Sequence, residues 1–475
     1  MLRTIAKTRL LTFVFAIALA ASAGAAELPE TFTAALKQAG IPLNRVAVVV
    51  QPLDGDMPLL SHQADAAMNP ASVMKLVTSY AALQQLGPGF TWATEIWAEG
   101  ALKDGVLDGD LAIRGNGDPS LTLERMWLLQ RELRTRGIHH IRGNLVLDST
   151  VFDSPEVDPG AFDGEPHAPY NAAAGALVAN FNVIPLRLNV SGDQVVVTPG
   201  VALPDGVLAS QLKLDDGLPC HGWRDALRLS PADPPAVAYA MAGPYPRSCG
   251  EQPWPRSLFD AAMTFDVIFR ALWAESGGTL RGATLNGRAQ SAPPLLTFAS
   301  EPLADTLRRL NKYSSNLMAK NLFLTLGMQT YGVPATPEKG AQAVRDTLLR
   351  AGISTHKLVL ENGSGLSRIE RIRADTLNQL LRTAYRGPLF AEFESALPIM
   401  AIDGTLKQRF RDSPVAGRAH LKTGSLRDVS ALAGYVMTAR GRRTSFVMLV
   451  NHANARQAEA AQRALLEWVW DDVPR

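Results

Sequence analysis

The feature that most constrains the fold is an interruption: a strand-and-helix beginning is parted from a helix-and-strand ending by roughly 200 residues of different texture. At the beginning, residues 45–51 (RVAVVVQ) read as a buried strand, Asp54-Gly55-Asp56 as a turn and 57–61 as a short return strand. In SVMKLVTSYAALQQLG, apolar Val73, Leu76, Val77, Tyr80, Ala81 and Leu83 recur at helical spacing until Gly87-Pro88-Gly89 stops them. Pro70 stands near the helix start, where first-turn amides have no intrahelical acceptor. From about Thr91 to Leu296, short β-like pieces such as VLDGDLAIRGNGDPSL, IRGNLVLDSTVFD and DQVVVTPG alternate with Gly, Pro and Asp turns. Helical periodicity returns with EPLADTLRRLNKYSSNLMAKNLFLTLG, and strands are predicted around 420–423, 431–437 and 444–450. The layout is one discontinuous α/β domain made from both ends of the chain, interrupted by a β-rich insertion.

The N-terminus carries a second signal. Arg3, Lys7 and Arg9 precede an apolar stretch from Leu10 to about Ala21, and small residues follow to Ala26. That order is a secretory signal cut near Ala25, and the apolar run is short for a ~20-residue membrane span. Export implies an oxidising compartment, where Cys220 and Cys249, the only two cysteines, point to a local disulfide. Two buried free thiols are the alternative. With 47 basic and 45 acidic residues the net charge is +2, so no electrostatic case exists for nucleic acid or an anionic surface as partner. The eight histidines show no HExxH or similar spacing, and neither a metal nor another cofactor is expected. No Gly-x-Ser-x-Gly is present, since Asn362 spoils the nearest candidate at Ser364, which argues against a Ser-His-Asp hydrolase.

Three short motifs carry chemistry. Ser72-Val73-Met74-Lys75 sets a hydroxyl and an amine on one helix face. A neutral lysine can take the serine proton if burial or a neighbouring cation lowers its pKa from about 10.4. Amides at the helix start can also polarise a developing oxyanion. The same spacing at Ser210–Lys213 and Ser354–Lys357 lies in polar, turn-rich sequence without a following amphipathic helix. Ser314-Ser315-Asn316 offers a second hydroxyl to relay a proton and a carboxamide to hold substrate backbone, or else a polar helix cap. Lys422-Thr423-Gly424, near the end of a predicted strand, offers a cation and hydroxyl to grip a carboxylate. Gly424 there leaves room for a substrate chain beside the strand, with the Ser425 amide as an oxyanion donor.

Ser-x-x-Lys, Ser-x-Asn and Lys-Thr-Gly in this order are shared by penicillin-binding proteins and class A β-lactamases. The chain resembles the D-alanyl-D-alanine carboxypeptidase/endopeptidase family of class C low-molecular-mass penicillin-binding proteins, peptidase family S13. The likeness covers nearly all the mature length, in NPASVMKLVTSYAAL, GDLAIRGNGDPSL, GNLVLDSTVFD, MAIDGTLKQRF and AGRAHLKTGSLRDVSALAGYV. The 242 positions from Ser72 to Ser314 are its strongest architectural mark, because β-lactamases and transpeptidase domains leave much less space there.

The resemblance implies an α/β (α+β) serine β-lactamase/transpeptidase-like domain, an antiparallel sheet flanked by helices, with a large β-rich two-module insertion. Residues 27–92 and 296–475 then form the domain and 93–295 the insertion, its inner module at about 165–260, after a signal at 1–26. It implies Ser72 as acylating nucleophile, Lys75 as general base, and Ser314 and Asn316 as the proton-transfer and substrate-holding edge. Lys422 and Thr423 would bind the substrate carboxylate, and the amides of Ser72 and Ser425 the oxyanion. The implied activity is periplasmic cleavage of D-Ala–D-Ala and cross-bridge bonds in peptidoglycan peptides, with β-lactams as inhibitors. Glu165 and Tyr170 would bind the free amino-acid end of a diaminopimelate side chain. Two positions depart from the family: Asn362 where Asp is usual, and Ala401 where glycine is common. A homo-oligomer is left open, as is peripheral membrane contact through the aromatics of the C-terminal helix, for which packing on the sheet is the expected role.

Overall fold

The computed structural model describes residues 27–153, 158–232 and 238–471. The expected signal at 1–26 lies outside the described residues.

The two ends of the chain meet in one five-stranded antiparallel sheet. Its order is Ala419–Leu426, Val429–Met437, Arg443–Asn451, Val46–Pro52 and Leu60–His62. Val46 pairs with Val450 and Pro52 with Thr444, so the first long strand is completed by the last. Both faces of this sheet are covered, which explains why RVAVVVQ lacks polar alternation. Ala47, Val49, Ala431, Ala433, Val447 and Leu449 face one core, formed with the helices Met74–Leu86, Asn316–Tyr331 and Ala374–Arg386. Val46, Val48, Val50, Leu432, Phe446 and Met448 face the other, against Glu30–Gln38 and Glu459–Trp470. Leu465, Leu466 and Val469 of that C-terminal helix are buried there, with Trp468 and Trp470 packed at the margin. No helix among the described residues is long and apolar enough to cross a membrane.

The intervening chain builds a separate core. A seven-stranded mixed sheet holds Ala93–Lys103, Val106–Gly115, His140–Ile141, Leu145–Asp148, Thr279–Leu280, Thr284–Asn286 and Leu296–Ala299. Its last strand pairs with Ala93–Ile96, so the sheet runs past the boundary expected at 295/296. Two smaller three-stranded sheets lie between Leu186 and Pro253. Two long helices also occur in this stretch, Leu123–Thr135 and Ala261–Glu275, which its turn-rich texture did not announce. Each starts at a side-chain cap, Thr122 for Arg125 N and Asp260 for Met263 N. Cys220 and Cys249 are joined in a disulfide within this region.

The insertion docks on the helix Asn316–Tyr331. Asn321 Nδ2 donates to Gly117 O at 3.2 Å and Gly175 O at 2.9 Å, while its Oδ1 accepts from Gly175 N at 3.2 Å. Asn321 is fully buried, so these bonds replace solvation that it loses.

Candidate active site

Ser72 lies in the one-turn segment Ala71–Val73 that leads into the helix Met74–Leu86. Asn69 shapes this turn: its Oδ1 accepts from Ala71 N at 2.8 Å, and its Nδ2 donates to Ser367 O at 2.8 Å. Ser72 is half-buried, whereas residues 73–83 behind it are buried. Two glycines let other chain segments reach the turn. A Cβ on Gly424 would stand 2.3 Å from Pro70 O, and one on Gly365 would stand 1.9 Å from Ala71 O. Glycine at 424 is therefore required for packing against the serine turn, a reason different from the room for substrate expected from sequence.

Lys75 places its Nζ 2.9 Å from Ser72 Oγ, 2.7 Å from Asn316 Oδ1 and 2.5 Å from Ser364 O. It is fully buried and none of these partners is charged. Burial first, then the nearby Lys422, holds the amine well below the ordinary lysine range; Glu370 opposes the shift.

Ser314 occupies the break between Leu303–Lys312 and Asn316–Tyr331, in the left-handed region at φ 57°. Its Oγ accepts from Lys422 Nζ at 2.8 Å. The helix cap is Ser315, whose Oγ accepts from Met318 N at 3.3 Å. The cap reading of this motif is thus met by Ser315, while Ser314 turns its hydroxyl to Lys422. Asn316, next in line, accepts from Lys75 and donates through Nδ2 to Tyr170 O at 2.9 Å.

Lys422 is fully buried on the strand Ala419–Leu426, and burial pulls its pKa down to about 7. Beside it, Thr423 Oγ1 shares a hydrogen bond of 2.9 Å with Thr405 Oγ1. Ser425 is exposed further along. This strand has one neighbour in its sheet, so its outer edge borders the serine turn. The site thus joins two hydrogen-bonded sets, Ser72–Lys75–Asn316 and Ser314–Lys422. The rival spacings have no such company. Ser210 and Lys213 sit on the strand Leu208–Asp215, where a separation of three points to opposite faces. Lys357 forms an ion pair with Asp65.

Glu165 and Tyr170 reach the site less directly. Tyr170 contributes its main-chain carbonyl to Asn316, while its hydroxyl donates to Asp163 Oδ2 at 2.9 Å. Burial, then Asp163, pushes this phenol up to about 12. Glu165 has an exposed side chain, and its carbonyl accepts from Asn171 Nδ2 at 2.9 Å. Asp163, which sequence reasoning missed, ties Tyr170, Asn171 and the Glu165 amide together. The same loop meets Arg368, whose guanidinium lies 4.2 Å from the centre of the Phe162 ring.

Ser364, Glu370 and Thr405 were also missed. Ser364 serves Lys75 through a carbonyl, which no residue type announces. Glu370 is fully buried, and its Oε1 accepts from the amides of Glu361, Asn362 and Gly363 at 3.1, 3.0 and 3.0 Å. This gives a physical reason for Asn362. Its Oδ1 accepts from Ser364 N at 2.9 Å and its Nδ2 donates to Leu366 O at 3.0 Å. A carboxylate there would lose the donor and set a second anion in Glu370's buried turn. Ala401, at φ 62°, holds the left-handed conformation that favours glycine.

A model of the D-Ala-D-Ala carboxypeptidase 3 (S13) family matches residues 28–471. The chain belongs to that family. It is 30% identical over 442 residues to the D-alanyl-D-alanine carboxypeptidase of Actinomadura sp. (strain R39), covering 90% of this chain and 81% of that protein. Against D-alanyl-D-alanine carboxypeptidase DacB of Haemophilus influenzae it is 27% identical over 421 residues, 86% of this chain and 85% of the other. The crystal structure of penicillin binding protein 4 (dacB) from that organism superposes with a TM-score of 0.76 at 25% identity, covering 92% of this chain and 99% of that one. The chain is accordingly a serine-type D-Ala-D-Ala carboxypeptidase, a hydrolase of peptidoglycan peptides.

Proposed function

We propose that Ser72 is the nucleophile and neutral Lys75 its general base. The observation that carries this is the surroundings of Lys75 Nζ. A neutral amine has two N–H bonds and one lone pair. Asn316 Oδ1 and Ser364 O take the two N–H bonds, which leaves the lone pair for the proton of Ser72 Oγ at 2.9 Å. The downward shift of its pKa by burial favours that form.

A stem peptide enters as an added strand along the edge of Ala419–Leu426, with its terminal carboxylate at Lys422, Thr423 and Thr405. Ser72 attacks the D-Ala–D-Ala carbonyl, and the oxyanion is held by the amides of Ser72 and Ser425. Collapse expels D-alanine, which takes its proton through Ser314 from Lys422, 2.8 Å behind it. Once Lys75 has passed the serine proton on to restore Lys422, water hydrolyses the ester with Lys75 again as base. Peptide cross-bridges are cut by the same steps. A β-lactam acylates Ser72 likewise, but its leaving amine stays tethered and the adduct persists. Glu165 and Tyr170, with Arg368 beside their loop, receive the free amino-acid end of a branched stem peptide. An anion and a cation suit its ammonium and carboxylate respectively.

This reading includes a domain made of 27–92 and 300–471 and an insertion at 93–299. It also includes export to the periplasm behind the signal at 1–26, in keeping with the disulfide.

Labelled penicillin followed by intact mass and peptide mapping tests the proposal. The adduct is expected on Ser72 and absent from Ser72→Ala, and the parent protein is expected to release D-alanine from a pentapeptide. An adduct elsewhere, or rapid nitrocefin turnover in place of a lasting adduct, refutes it.

A further inference from the structure

Glu370 is a fully buried carboxylate that no step of the acyl transfer uses. Among the described residues it forms no ion pair, and its Oε2 has no hydrogen-bond partner. All its carboxylate bonding goes through Oε1, on which the amides of Glu361, Asn362 and Gly363 converge. A buried carboxylate without a cation is costly, so what these three bonds hold in place matters.

They hold the loop that lies against the serine turn and the helix behind it. Gly363 O accepts from the buried Thr78 Oγ1 at 2.6 Å, and Ser364 O from Lys75 Nζ at 2.5 Å. Gly365 packs on Ala71 O, and Ser367 O accepts from Asn69 Nδ2 at 2.8 Å. The loop therefore runs antiparallel to 69–78, touching it from end to end. Glu370 closes this loop twice. Its own amide donates to Ser367 Oγ at 2.9 Å, while its side chain reaches back nine positions to Glu361.

We propose that Glu370 is a positioning residue for acylation: its carboxylate clamps the 361–367 loop and so sets Ser364 O on Lys75 Nζ. The inference rests on Lys75 being the base. Ser364 O takes one N–H of the amine, which helps to aim the lone pair at Ser72.

The negative charge acts on the same amine. Lys422, on the strand Ala419–Leu426, and Lys320, on the helix Asn316–Tyr331, both disfavour protonation of Lys75, and Glu370 favours it. Glu361, exposed at the start of the loop, is the other charge felt at Glu370. Burial pushes the Glu370 carboxyl up, while three N–H donors on one oxygen favour its ionised form. Removing this anion therefore lowers the proton affinity of Lys75.

The test compares Glu370→Gln, which keeps an acceptor without the charge, with Glu370→Met, which fills the space with neither. Acylation by fluorescent penicillin is followed by stopped flow across a range of pH, with urea denaturation to establish that each variant is folded. Glu370→Met should slow the first-order acylation step about 10²-fold while leaving the penicillin-binding constant within about threefold. Glu370→Gln should recover to within about tenfold of the parent on the pH plateau, with its acid limb moved to lower pH. A side chain that merely fills the core would lower stability and leave that limb in place. A folded Glu370→Met acylating within about threefold of the parent overturns the proposal, as does a Glu370→Gln limb that is unmoved or moved to higher pH. If Glu370→Met does not fold, the Glu370→Gln limb decides. Lys75→Met in the same series keeps the two failures apart: parent-like acylation by that variant removes the base assignment itself, whereas parent-like acylation by Glu370→Met alone removes only the clamp.

Discussion

Replacing Gly365 by alanine tests whether the serine turn is held in place by backbone packing. The new Cβ would stand 1.9 Å from Ala71 O, 2.2 Å from Ala71 C and 2.7 Å from Ser72 N. All three are main-chain atoms, so no side chain can rotate aside. The Cβ must retreat by roughly 1 Å or more, carrying the turn or the 363–367 segment with it. The same segment supplies Ser364 O to Lys75, so displacement loosens the proposed nucleophile and its proposed base together. A misplacement of about 1 Å at reacting groups lowers a rate by about 10²-fold. At φ 83° the alanine also carries ~1–2 kcal/mol of backbone strain, and overpacking adds ~1–3 kcal/mol. Gly222→Ala is the control: that residue is left-handed too, at φ 71°, but has nothing within 4 Å of its virtual Cβ. Fluorescent-penicillin acylation by stopped flow and urea denaturation separate rate from stability. Gly365→Ala should acylate about 10²-fold more slowly and lose a few kcal/mol, while Gly222→Ala loses ~1 kcal/mol and acylates normally. A folded Gly365→Ala protein acylating within about threefold of the parent would refute this reasoning.

Two further outcomes follow from the same structure. Lys422 has a pKa of about 7 when folded against about 10.4 in an unfolded chain. Between those values the unfolded state binds the extra proton, so stability should rise with pH across that window. Lys422→Met should lack this contribution; urea midpoints with an identical slope in parent and variant would contradict the buried-amine account. Replacing Cys220 and Cys249 by serine opens a cross-link spanning 29 residues and should cost ~3–4 kcal/mol in the insertion. Penicillin acylation should stay within about twofold, because neither cysteine borders the cleft; a parallel collapse of acylation would show that the insertion holds the site together.

Much of the site was legible because helical spacing is a local property. A spacing of three from Ser72 to Lys75 puts both groups on one face before any tertiary contact is known. The discontinuous domain was legible for a related reason: continuous apolar strands and periodic helices at both ends contrast with the turn-rich middle. The helices Leu123–Thr135 and Ala261–Glu275 were hidden because neighbouring Gly, Pro and Asp turns dominated the same stretch. Nothing local separated Ser314 from Ser315, since both are hydroxyls at a helix start. Only the approach of Lys422 from a distant strand distinguishes them.

The chain's own order of residues pointed to the candidate reacting groups, to the two-ended domain and to the disulfide. Tertiary structure alone decided that Ser364 and Tyr170 act through carbonyls, that Thr405 joins Thr423, and that Gly424 serves the serine turn. The physical reason is that sequence records side-chain chemistry and short-range period. A main-chain carbonyl is the same in every residue, and which one meets a buried amine depends on how distant segments pack.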